Sequence, residues 1–232
     1  GLPHVIVRFY TVGSVRAARA FERPSSAEFL IDPWDPEHYD RLVDALPRRP
    51  LAVVHRWTES TDGEASSPRH RGFDSLVLAA RQLGRRGQPV DWLVVTRSAH
   101  EVVGSERVEP LGALVAGPCR VIPYEYEGHR CRSVDLAADD DLDLEVAILL
   151  RELVSRDAHP VVAYRSGHRW CPGHAPLVTP GPEAARTAVP DGARCLVTGG
   201  TSGVGLALAE ALSRVPGARV ALLARTPLPA RD

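Results

Sequence analysis

The stretch Arg194-Cys195-Leu196-Val197-Thr198-Gly199-Gly200-Thr201-Ser202-Gly203-Val204-Gly205-Leu206-Ala207-Leu208 decides the fold. Its first five residues are an apolar strand, its middle is a glycine turn, and a helix over residues 204–214 takes up the rest. A second strand, residues 218–224, follows and completes a strand–helix–strand opening of a parallel sheet. The turn reads T-G-x-x-x-G-x-G. Glycine is needed there because the chain must turn sharply and bring backbone N–H groups close to a pyrophosphate at the positive end of the next helix. Competing patterns fail letter by letter. Gly200 to Gly205 has the spacing of an ATP-binding P-loop, but Leu206-Ala207 stand where Lys and Ser/Thr are required. Val204 occupies the last glycine of a nucleophile elbow, and Leu208 the last glycine of G-x-G-x-x-G. The candidate dinucleotide site is therefore Thr198, Gly199, Gly200, Thr201, Ser202, Gly203, Val204 and Gly205, with the N–H groups of residues 201–204 facing the phosphates.

The second strand ends at Ala224-Arg225-Thr226. Dinucleotide folds place the group that reads the adenosine ribose here. A carboxylate there accepts from a 2′-hydroxyl, whereas an arginine pairs with a 2′-phosphate. Arg225, helped by the Thr226 hydroxyl, favours NADPH over NADH.

Working upstream, residues 178–193 are rich in Pro, Gly and Ala without periodicity and read as a linker. Residues 1–177 alternate strands with helices. An apolar run at 5–10 precedes the turn signal Asp32-Pro33-Trp34-Asp35-Pro36, a helix over 39–45 and a buried strand, 51–57. A polar stretch, 58–68, leads to a helix with apolar residues at Phe73, Leu76, Val77, Ala80 and Leu83, a helical spacing. Further strands are read at 92–96, 132–136 and 160–164. They are separated by a helical segment at 111–121 and by a helix that opens on the acidic run 139–143 and ends near Val154. Alternation of this kind predicts an α/β, Rossmann-like parallel sheet with helices on both faces. Val53, Leu93, Val94, Val134 and Val162 are the expected core.

Composition narrows the function. The chain has 232 residues, 44% hydrophobic and 25% charged, with a net charge of -1, so it builds a core and lacks the basic field of a general nucleic-acid binder. No apolar run approaches the ~20 residues of a membrane span and no signal peptide opens the chain; a cytoplasmic protein is expected. There is no Met, no Lys and no Asn. Without an initiator Met, an excerpt from a longer polypeptide is expected. The four cysteines, Cys119, Cys131, Cys171 and Cys195, are read as reduced and mostly buried. His168, Cys171 and His174 form an H-x-x-C-x-x-H run with no fourth ligand and with Pro172-Gly173 interrupting it, so no metal is assigned. Carboxylates in the 139–143 run oppose the helix dipole. The arginine pairs 48–49 and 85–86 are solvated helix ends.

On these motifs the chain resembles the ketoreductase domains of type I polyketide synthases, in the short-chain dehydrogenase/reductase superfamily. The run T-G-G-T-S-G-V-G-L-A-L-A-E-A-L followed by V-A-L-L-A-R-T-P-L-P looks like the start of their catalytic subdomain. Segments 53–57, 92–97, 131–136 and 163–169 are similar to strands of their structural subdomain. The resemblance implies a truncated, cofactor-free Rossmann-like structural subdomain over 1–177, the linker 178–193, and the first βαβ unit of an NADPH-binding catalytic subdomain over 194–232. It also implies reduction of a β-ketoacyl thioester on acyl carrier protein, with the remainder of the catalytic subdomain and adjacent polyketide synthase domains as partners. The superfamily's tyrosine, lysine, serine and asparagine set has no counterpart here, since Lys and Asn are absent. No catalytic residue is assigned and the isolated chain is expected to be inactive. A non-catalytic pseudo-ketoreductase bracing a methyltransferase or dehydratase is the alternative. Residues from 194 onward are expected to lean on the first subdomain, and limited proteolysis to cut first in the linker or near the C-terminus.

Overall fold

The computed structural model describes residues 11–14, 21–48, 51–58, 71–104, 106–138, 141–155, 157, 159–176 and 189–225. The apolar run 5–10, most of the polar stretch 58–68, Arg49, residues 139–140, most of the linker and Thr226 lie outside these. Two compact units divide at Gly173/His174.

In the first unit, strands β1 (Thr11–Ser14), β2 (Glu22–Ser25) and β3 (Glu28–Ile31) form a small sheet in the order β1-β3-β2. Strand β3 runs parallel to β1 and antiparallel to β2. The β2–β3 hairpin escapes a reading by period because β2 is exposed along its whole length and carries no apolar alternation. On β3, Phe29 and Ile31 are fully buried, two residues apart on one face, and they pack with Tyr39 and Leu42 of helix α1 (Pro36–Ala45). The Asp/Pro signal is the start of that helix. Asp35 caps it by accepting from Glu37 N at 2.9 Å, and Pro36 takes a first-turn position that needs no donor.

The main sheet holds β4 (Leu51–His55), β5 (Val90–Arg97), β6 (His129–Leu136), β7 (Val161–Arg165) and β8 (His168–Trp170), side by side in chain order. The first four are parallel, and β8 returns antiparallel on β7. That return is a two-residue hairpin in which Ser166 and Gly167 both adopt positive φ, 50° and 74°, the requirement of a type I′ turn. Helix α2 (Arg71–Arg85) links β4 to β5 and helix α4 (Leu142–Val154) links β6 to β7. Between β5 and β6 the expected helix is in two pieces, a 3-10 turn (Pro110–Val115) and then α3 (Ala116–Glu125).

Alternation along β5 sorts these helices onto the two faces. Val90, Trp92 and Val94 pack with Leu76, Ala80 and Leu83 of α2 and Cys119 and Ile122 of α3. Leu93 and Val95 point the other way, to Ile148 and Leu149 of α4, beside Val134, Leu136, Val162 and Tyr164. Helices therefore cover both faces, as expected. The strands advance in one direction while α4 changes face, so the last crossover has the opposite hand to the two before it. Leu93, Val94, Val134 and Val162 are buried in the core, while Val53 is only half-buried, because β4 is the end strand of this sheet.

In the second unit, β9 (Arg194–Thr198) and β10 (Arg219–Leu223) pair in parallel, Arg194 beside Arg219 and Thr198 beside Leu223, with helix α5 (Gly203–Ser213) between them. Val197 and Ala209 are buried, whereas Leu196, Leu222 and Leu223 are exposed. No helix among the described residues is long and apolar enough to cross a membrane.

Candidate functional site

The glycine turn sits between β9 and α5, at the carboxyl end of the strand. Gly199 and Gly203 have φ of 69° and 52°, in the left-handed region that side chains with a Cβ rarely adopt. Gly205 is needed for a different reason. A Cβ there would lie 2.2 Å from the Gly199 carbonyl oxygen, so only glycine allows the helix to start this close to the turn. A Cβ on Gly200 would meet Leu222 at 2.8 Å and the Val197 carbonyl oxygen at 3.0 Å. Gly199 N donates to Leu223 O at 2.7 Å and ties the turn to β10.

Ser202 is extended and caps α5 by position, and its carbonyl accepts from Leu206 N at 3.2 Å. The amides of Gly203, Val204 and Gly205 stand in the first helical turn, where no carbonyl lies one turn earlier to receive them. They form the positive end of an eleven-residue helix. Thr198 closes β9, Thr201 is half-buried, and Val204 is 87% exposed at the head of the helix. Arg225 follows β10 and is exposed. The helix head offers backbone donors suited to an anion, and a side chain on Gly205 would push it away from the Gly199 carbonyl.

The carboxyl ends of the strands in the first unit are built differently. Asp135, fully buried at the end of β6, accepts from Thr96 Oγ1 at 2.7 Å, Ala99 N at 2.8 Å and Arg165 Nη2 at 2.6 Å. Arg165, at the end of β7, also donates to Glu106 Oε1, His100 O, Tyr164 O and Asp135 O. Burial acts to raise the pKa of Glu106, but the amides of Val103 and Val102, its own amide and Arg165 outweigh it and hold it at about 2. This ionic cluster was not foreseen. Its signal was a charged residue set inside each of two apolar strand runs, Ser133-Val134-Asp135-Leu136 and Ala163-Tyr164-Arg165.

The remaining candidates resolve structurally. His168 lies in β8 with Nδ1 on Ser166 O at 3.0 Å, and the H-x-x-C-x-x-H run does not converge. Cys171 instead lies beside Asp157 and His159, with Arg169 donating to its sulfur at 3.1 Å and paired to Asp157 at 2.7 Å. A guanidinium in that position opposes a cation. Cys171 is exposed, against expectation, because β8 ends the sheet and the chain leaves it there. Cys119 and Cys131 are buried neighbours, and hydrogen bonding with Cys119 together with burial pushes the Cys131 thiol up. In the acidic run, Asp141 caps α4 by accepting from Asp143 N at 3.0 Å. Glu145, read only as part of that helix, is buried and pairs with Arg56 and Arg97. Arg85 closes α2, and Arg86 just beyond it reaches Leu46 O.

No protein-family model matches the chain. By sequence it is 34% identical over 185 residues to an erythronolide synthase of Saccharopolyspora erythraea, a match spanning 79% of this chain and 5% of that protein. It is 31% identical over 144 residues to a phenolphthiocerol/phthiocerol polyketide synthase of Mycobacterium tuberculosis, over 62% of this chain and 8% of that one. The chain thus spans a small fraction of the relatives it matches. Among solved structures, a multidomain adenylation, ketoreductase and pseudo-Asub structure from a keto acid-selecting NRPS module gives a TM-score of 0.74 at 20% identity, covering 94% of this chain and 19% of that one. An A-type ketoreductase from a modular polyketide synthase gives 0.65 at 22% identity, covering 86% and 43%. The chain is ketoreductase-like in fold and related in sequence to polyketide synthases.

Proposed function

From a chain with that fold and those relatives, we propose that it is part of a polyketide synthase ketoreductase, which reduces a β-ketoacyl thioester on acyl carrier protein to the β-hydroxyacyl thioester with NADPH. The observation that carries this reading is the glycine turn. Gly199 and Gly203 by their positive φ and Gly200 and Gly205 by lack of space for a Cβ set the head of α5 at the carboxyl end of β9, where its first amides suit a pyrophosphate. In this reading residues 1–177 form the structural subdomain, 178–193 the linker, and 194–232 open the catalytic subdomain. Adjacent synthase domains and acyl carrier protein are the partners, in the cytoplasm.

Residues Thr198–Gly205 hold the pyrophosphate and Arg225 the 2′-phosphate, with Thr226 beside it. The bound cofactor supplies the hydride. The contribution of this chain is to bind and orient: the turn fixes the phosphates and Arg225 selects the phosphorylated ribose. The proton donor for the new hydroxyl is assigned outside this sequence, which has no lysine to accompany a catalytic tyrosine.

The test compares the 232-residue chain with the domain extended by its downstream residues. With a β-ketoacyl thioester, the extended domain should oxidise NADPH and form the β-hydroxyacyl product, and the short chain should not. Turnover by the pure short chain overturns the assignment of roles. Cofactor binding without reduction in the extended domain supports the scaffold alternative instead.

A further inference from the structure

A hollow of about 330 Å³ opens at the carboxyl ends of β5, β6 and β7, lined by Ser98, Val103, Glu106, Ala137, Arg165 and Ser166. In open parallel sheets this is the end at which ligands bind. Here part of its wall is a carboxylate that takes up the donors beside it. Glu106 Oε1 accepts from Val102 N and Val103 N, each at 3.0 Å, and from Arg165 Nε at 2.9 Å. Its Oε2 accepts from Val103 N at 3.1 Å and Gly104 N at 3.0 Å. Three successive amides and a guanidinium thus converge on one carboxylate, the arrangement of an anion-binding nest. The nest is held firmly. Arg165 is 6% exposed, and its five N–H donors all have acceptors: Glu106, two carbonyls on Asp135 and Tyr164, His100 O and Asp135 Oδ2. The loop closes on itself where Glu109 N donates to Ser98 O at 2.7 Å, and Ser98 has a φ of 48°.

We propose that the first unit contains an oxyanion site filled from within the chain, in which the Glu106 carboxylate takes the place of a ligand carboxylate or phosphate. The proposal is independent of the cofactor assigned to the second unit. It accounts for how a Rossmann-like sheet is kept from binding a nucleotide phosphate at its open end. A phosphate entering the native site would have to displace a covalently tethered anion, whose local concentration is far above that of a free ligand.

The experiment is a titration of the 232-residue chain and of Glu106→Ala and Glu106→Gln with inorganic phosphate, at constant ionic strength set by chloride. Amide chemical shifts of Val102, Val103 and Gly104 and the unfolding midpoint are the readouts. In the native chain these amides should not move. In Glu106→Ala they should shift saturably, and phosphate at ten times its Kd should raise the folded-to-unfolded ratio about elevenfold over chloride. Glu106→Gln keeps the shape and one acceptor oxygen but not the charge, and should bind phosphate more weakly than the alanine variant. It also carries the decision if the alanine variant does not fold. Silence of the three amides in every folded variant, or equal phosphate binding there by the native chain, overturns the proposal. Shifts confined to residues 201–204 belong to the glycine turn of the second unit and also overturn it, without touching the cofactor assignment.

Discussion

At the scale of single residues, the glycine turn shows how different physical demands select the same amino acid. Gly199 and Gly203 are required by backbone sign, Gly200 and Gly205 by space. The Arg225 assignment rests on position alone, and its test is selective. In the extended domain, Arg225→Ala should weaken NADPH by about 1.5–3 kcal/mol, the loss of a charge-assisted hydrogen bond, or roughly ten- to a hundredfold, and leave NADH nearly unchanged. Gly203→Val should weaken both cofactors alike, since a β-branched residue resists a φ of 52°. Calorimetric titration reads both. Equal losses for the two cofactors on removing Arg225 would show a surface arginine.

At the scale of elements, α4 is pinned to the sheet by buried carboxylates rather than by apolar contact alone. Glu152, 3% exposed, accepts from Tyr164 Oη, Arg132 Nη1 and Arg169 Nε, each at 2.7 Å, and so joins the helix to β6, β7 and β8. Burial acts to raise its pKa, but hydrogen bonds from Arg169 and Tyr164 and the charges of Arg169 and Arg132 outweigh it and hold the carboxyl below its ordinary value. Glu152→Ala would leave the Tyr164 hydroxyl without its acceptor, Arg169 with Asp157 alone as its carboxylate partner, and Arg132 with backbone carbonyls only. Breaking one side of a buried pair costs at most about 3–5 kcal/mol, and with these partners left denaturant unfolding should show a loss of about 2–3 kcal/mol. Asp91→Ala removes the partner of Arg130 at a site where both side chains are about half exposed, so it should cost no more than about 1 kcal/mol. Comparable losses in the two variants would show that Glu152 is solvated and that α4 is held by packing.

At the scale of the whole molecule, pH acts on the first unit through a buried imidazole. His55, at the end of β4, is 8% exposed with Nε2 at 2.8 Å from Ser75 Oγ on α2. Burial lowers its pKa to about 4 from 6.5. The folded state therefore prefers the neutral ring, and the unfolded state binds the extra proton between these two values. Stability is full above about 6.5 and falls with pH until about 4, below which this group adds no further loss. From pH 7 to pH 5 the loss should be about 2 kcal/mol. His55→Gln should flatten that part of the unfolding profile, and an unchanged slope would place the acid sensitivity elsewhere.

The two kinds of knowledge divide by range. Strand and helix alternation, the βαβ opening and the glycine turn are local patterns, written in periods of two and 3.6 residues and in a run of eight, and they were legible without coordinates. The turn signal at 32–36 and the acidic run at 139–143 marked helix starts, but the structure picked out Asp35 and Asp141 as the caps. What the tertiary structure decided concerns residues far apart in the chain. The partners of Asp135, Glu106 and Arg165 are 30 and 59 residues apart in sequence, and no spacing rule joins them. The face of α4 and the hand of its crossover depend on which side of β5 is already covered. The exposed strand β2 has no apolar alternation to betray it. Periodicity reports which side of an element is buried. Only the packed chain decides what is buried against it, because desolvated charges must find their partners in space rather than in sequence.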